Sequence, residues 1–99
     1  MAEYYDRQGN PMSMVAWTFA TRGRVAETTL PNGRWVSTIW LGINHQYGDG
    51  PPLIFETMVF PSKDNMGELE CDRYSTEAEA LAGHAKLVEK WTIETPVEA

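Results

Sequence analysis

The run Tyr74-Ser75-Thr76-Glu77-Ala78-Glu79-Ala80-Leu81-Ala82-Gly83-His84-Ala85-Lys86-Leu87-Val88-Glu89-Lys90-Trp91 decides the fold of this chain. Thr76 suits an N-cap, because its hydroxyl can accept an otherwise unmet amide of the first helical turn. Glu79 stands three positions later and completes the pattern of a capping box. Leu81, His84, Ala85, Val88 and Trp91 then recur at helical spacing and predict one face of an amphipathic helix, with a histidine among apolar residues. Such a face needs a surface to cover.

The residues upstream supply that surface. Arg24 to Leu30 reads as a strand, and Leu30-Pro31-Asn32-Gly33 as a hairpin turn. Pro31 presets φ at the first central position, Asn32 suits the second, and Gly33 accepts the left-handed conformation. Arg34 to Leu41 returns as a strand rich in β-branched and aromatic residues. Gly42 to Pro52 is a loop, Leu53 to Phe60 a third strand that is nearly continuously apolar, and Pro61 to Met66 a turn. The apolar character of the third strand predicts a central position covered on both faces. Gly67 to Tyr74 is a fourth strand, on which Leu69 and Cys71 face one way and Glu68, Glu70 and Asp72 the other.

Residues 1–12 form an arm with turn chemistry around Gly9, and residues 92–99 a tail. Ser13 can cap a short helix through Ala20 that stops at Gly23, although the alternation of Val15, Trp17 and Phe19 also fits a strand. The expected architecture is one α+β domain: a four-stranded, mostly antiparallel sheet, the C-terminal helix on one face, and a short N-terminal helix beside it.

Composition narrows the function. Fourteen acidic residues against eight basic ones give a formal net charge of −6. Such a chain is poorly suited to grip a phosphate backbone, so direct nucleic-acid binding is not expected. A single cysteine excludes an intramolecular disulfide, and two histidines with that cysteine cannot assemble the common zinc patterns. No apolar run approaches the ~20 residues of a membrane span, and the first ten residues lack a signal-peptide core. These features lead to the expectation of a cytoplasmic protein. The nucleotide-binding, nucleophile-elbow and zincin motifs are absent, and neither a cofactor nor an enzymatic activity is expected.

Three constellations are candidate sites. The loop carries His45, Tyr47 and Asp49, and with Glu56 and His84 it offers groups for a divalent metal or acid–base work. The plain structural alternative makes Asp49 a turn residue, Glu56 a partner of Arg24 or Arg34, and His84 a satisfied core histidine. The second constellation is acidic: Asp64, Glu68, Glu70, Asp72 and Glu77. Alternate strand residues lie about 6.6 Å apart, so this row can imitate a phosphate backbone in a basic groove of a partner, or simply be a solvated face. The third is aromatic and basic. Trp35 and Trp40 have opposite parity, so one of them needs a second cover, which the N-terminal helix or, in a homodimer, another subunit would supply. Arg24 and Arg34 beside an exposed Trp35 suit an anionic small molecule, unless acidic neighbours neutralise them.

The segments Val36 to His45, Pro51 to Phe60 and Arg73 to Thr76 leading to Gly83-His84, with the opening Tyr4 to Pro11, resemble a group of short, uncharacterised proteins encoded by bacteriophages and prophages. The resemblance implies a phage or bacterial cytoplasmic setting and carries over no activity. Small acidic phage proteins are often inhibitors or sequestering proteins that counter host defences, an analogy independent of fold. The leading expectation is an accessory protein that binds and blocks a host component through the acidic strand. A nucleotide-signal sequestering protein is second, and a metal-dependent hydrolase third.

Overall fold

The computed structural model describes residues 3–20, 23–46 and 48–93. In chain order these form β1 (Tyr4–Tyr5), β2 (Pro11–Met12), α1 (Met14–Phe19), β3 (Arg24–Thr29), β4 (Trp35–Trp40), β5 (Phe55–Phe60), β6 (Glu70–Tyr74) and α2 (Glu77–Thr92). The last four strands make an antiparallel meander in the order β3-β4-β5-β6, and α2 lies across one face of it. The architecture is the expected α+β arrangement, with a small β1-β2 hairpin added from the arm.

Local chemistry places the elements. In the β3-β4 turn the Gly33 amide donates to Leu30 O at 2.9 Å, and Gly33 takes a φ of +91°, which a side chain would strain. The same turn holds the end of the helix: Asn32 Nδ2 and Arg34 Nη1 both donate to Trp91 O, at 2.8 and 3.1 Å. Carbonyls in the last helical turn lack intrahelical donors, and a cation there complements the helix dipole. At the other end Thr76 and Glu79 form the expected capping box.

The core lies between α2 and the side chains of alternate strand residues: Val36, Val59, Leu30 and Leu87 at one end, and Trp40, Ile54, Phe55 and Ala80 at the other. The helix face differs from the one expected. Leu81 is 47% exposed and Ala85 is exposed, whereas Ala80, Gly83, His84 and Leu87 are buried. The helix is turned by two contacts that no periodicity shows. Gly83 rides directly on the Tyr74 ring, and His84 bonds to threonines of the sheet.

Two other expectations change. β6 begins at Glu70, so Glu68 precedes the strand. Asp72 pairs with Thr57, whose hydroxyl bonds to the helix-side Thr38, so Glu70 and Asp72 share the helix side of the sheet and do not form an outward row. β5 is central but has a second layer on one face only. On its other face Glu56 and Phe60 are covered by Arg73 and Trp35 side chains.

The residues after Ser13 are helical, and Ser13 Oγ accepts from the Ala16 amide at 3.0 Å. α1 ends at Ala20 instead of Gly23 and buries no residue fully. Its anchor is Trp17, whose indole donates to Leu41 O and packs against Tyr4 and Gly42. Arg7 joins the arm to α2 through paired bonds of 3.1 and 2.9 Å to Glu77.

Candidate functional site

The helix side of the sheet holds a buried polar chain. His84 Nε2 and Thr28 Oγ1 are 2.9 Å apart, His84 Nδ1 and Thr38 Oγ1 2.7 Å, and Thr38 Oγ1 and Thr57 Oγ1 2.5 Å. Burial holds the imidazole below its ordinary range. Burial also pushes the Tyr74 phenol up, and Thr57 pulls the other way without reaching hydrogen-bond geometry. Here His84 is a satisfied core histidine.

The other side of the sheet is open. Trp35 and Phe60 are cross-strand partners whose rings stack at 5.4 Å and 29°. With Ser37, Ile39, Glu56, Met58 and Met66 they line a cavity of about 220 Å³. Arg24 and Lys63 lie 5.3 and 5.7 Å from the centre of the Trp35 ring. Glu56 Oε2 accepts from Arg73 Nε at 3.1 Å and from Cys71 Sγ at 3.5 Å. Burial, with the Glu56 carboxylate second, pushes the Cys71 thiol up to about 11, which keeps it protonated and unreactive near neutrality.

The sequence candidates separate over this framework. Glu56 faces the open side and His84 the covered side, so they do not converge. Among the described residues no group of three or more His, Cys, Asp or Glu side chains is placed to hold a metal ion. His45 donates its amide to Leu53 O, and the loop is held by Asn44 Oδ1, which accepts from the Gln46 and Leu53 amides. Asp49 is exposed, and Tyr47 lies outside the described residues. The arginines also part. Arg24 bonds Ser37 and lies 3.3 Å from Glu27, while Arg34 turns to the helix end and the Trp91 ring.

Of the acidic set, Asp64, Glu68 and Asp72 are exposed. Glu70 accepts from Lys90 Nζ and Trp91 Nε1, each at 2.8 Å, and these two bonds lower its pKa. Glu77 is bound to Arg7. Asp72, Tyr74, Glu79, Ala82, Gly83, Lys86, Leu87 and Lys90 line a groove of about 510 Å³ between β6 and α2.

Ile39, Met58, Phe60 and Met66 were missed as candidates. The signal for three of them was present: Trp35, Ser37 and Ile39 alternate along β4, as do Glu56, Met58 and Phe60 along β5. A comparison with known protein families, curated proteins and solved structures finds no match to this chain. No helix among the described residues is long and apolar enough to cross a membrane.

Proposed function

We propose that this chain is a non-enzymatic binding protein whose contact surface is the open face of its sheet. In the phage or bacterial setting that the resemblance implies, its partner is a host protein. One observation carries the reading: α2 covers a single face, and the opposite face presents the Trp35–Phe60 stack, Ile39 and Met58 around a shallow cavity. Aromatic and methionine side chains within a polar rim are the composition of a protein contact surface. Met66, 62% exposed, extends this surface from the β5-β6 loop. The same loop carries Asp64 and Glu68, while Lys63 and Arg24 lie at the Trp35 ring, so the rim bears both signs of charge and can orient a charged partner.

The test is capture of a binding partner from bacterial lysate by immobilised protein with chemical crosslinking, followed by titration of the purified partner. Trp35→Ala combined with Ile39→Lys should weaken that binding at least about tenfold and leave the circular dichroism spectrum unchanged. Asp64→Lys with Glu68→Lys should slow association and flatten its salt dependence. Binding untouched by the Trp35 and Ile39 changes would refute the open-face reading. Sedimentation equilibrium tests the other occupant: a dimer dissolved by those two changes would make the partner a second copy of the chain.

A further inference from the structure

We infer that the groove between α2 and β6 receives an extended peptide segment of a partner protein, paired to β6 as a fifth strand and carrying a basic side chain opposite Asp72. This surface lies apart from the open face, so the inference does not depend on the reading above.

The first support is the free edge. β6 ends the sheet, and no described strand lies beyond it. An unpaired row of amides and carbonyls recognises extended backbone whatever its sequence. The Arg73 amide is met by the carboxylate of its own neighbour, Asp72 Oδ1, at 3.1 Å. That contact is a local substitute for the carbonyl of an adjoining strand. The opposite edge, β3, is protected differently: its register shifts between Arg24 and Ala26, and such irregularities twist an edge away from partners. β6 pairs with β5 in unbroken register.

The second support is the shape beside that edge. A strand added to β6 would send alternate side chains to the helix side, where the groove lies. Its floor is Gly83, Leu87 and the Tyr74 ring, with Ala82 on the wall. The Tyr74 ring occupies the space a Gly83 side chain would fill, which joins strand and helix along the floor. The Lys90–Glu70 ion pair stands at one end, and Glu79, held in the capping box, at the other. A volume of about 510 Å³ lies within the usual range of binding clefts, ~300–1,000 Å³.

The third support is charge, which also decides the occupant. Asp72 and Glu79 line the groove together with Lys86 and Lys90; Lys90 is paired with Glu70, and among the described residues Asp72 is in no ion pair. In the antiparallel registers centred on Cys71 or Asp72, a second copy would set Asp72 against Glu70 or against Asp72, and like charges directly opposite are unfavourable. A peptide with lysine or arginine at that position reverses the sign.

The probe is an acetylated, amidated heptapeptide, Thr-Leu-Thr-Lys-Thr-Leu-Thr, titrated into the ¹⁵N-labelled full chain. Saturable amide shifts are expected in residues 70–74 and 79–90. Glutamate in place of the peptide lysine should weaken binding about fivefold or more. Asp72→Lys should reverse that preference. Ala82→Trp, at an exposed helix position, should fill the groove and abolish binding while the rest of the spectrum keeps its dispersion. The inference is overturned by an absence of shifts at millimolar peptide, by equal affinity for the lysine and glutamate peptides, or by shifts confined to Trp35, Ile39 and Met58, which would assign the peptide to the open face instead.

Discussion

Replacing Gly83 by alanine sets two well-known effects against each other. In a free helix the change is favourable by about 1 kcal/mol, because glycine loses more backbone entropy on folding. In this fold a Cβ at Gly83 would lie well inside van der Waals contact with three atoms of Tyr74: Oη, Cζ and Cε1. Carbon contacts are optimal near ~3.5–4.0 Å, so the ring or the helix must move. Tyr74 is held by pairing with Phe55 and by packing against the core cluster of Trp40, Ile54, Phe55 and Ala80, and forced repacking of that kind costs about 1–3 kcal/mol. The upper part of that range applies, since two ring carbons and the hydroxyl oxygen are involved. Gly83→Ala should therefore lose about 1–2 kcal/mol in urea denaturation followed by tryptophan fluorescence. The sign should reverse once the ring is gone: in a Tyr74→Ala background the same substitution should gain about 0.5–1 kcal/mol. Tyr74→Phe should not rescue it, because Cζ and Cε1 remain. A Gly83→Ala protein more stable than wild type would show that glycine is not what lets α2 approach the sheet.

Three further outcomes follow from the same contacts. Burial lowers the His84 pKa from its ordinary 6.5, so the unfolded chain binds that proton more readily. The stabilisation is complete above pH 6.5 and declines as pH falls through that value toward the folded pKa; His84→Gln should flatten this limb of urea midpoints measured from pH 7.5 to 5. Glu70→Lys should cost about 1 kcal/mol, the scale of a surface ion pair plus the new repulsion from Lys90, whereas Glu68→Lys should stay within about 0.5 kcal/mol. Equal thermal shifts for the two would count against the Glu70 contacts. Gly33→Val, at a φ of +91°, should lose about 1–3 kcal/mol, and an unchanged melting temperature would refute the turn geometry.

The local signals were legible because their causes lie within a few residues. Thr76 and Glu79 close the capping box three residues apart, Ser13 caps α1, and Leu30 to Gly33 make the turn by their own backbone preferences. Strand alternation likewise showed that Trp35 and Trp40 point to opposite faces. Which face meets the helix was not legible, and the acidic row was misread for that reason. Glu70 looks solvated in its own strand, and only the return of α2 brings Lys90, 20 residues later, onto its carboxylate. Arg7 and Glu77 stand 70 residues apart and meet only in the folded chain.

The amino-acid sequence by itself determined the order and kind of the main elements, the β3-β4 turn, both helix caps and the acidic balance, since each rests on torsional preference, short-range hydrogen bonding or a count of charges. Tertiary structure alone decided the rotation of α2 about its axis, through Gly83 on Tyr74 and His84 on Thr28 and Thr38. It also decided the separation of Glu56 from His84, the pairing of Glu70 with Lys90 and of Glu77 with Arg7, and the open face around Trp35. Those outcomes depend on which side chains of distant segments fit against one another, and close packing settles that only when all the segments are in place.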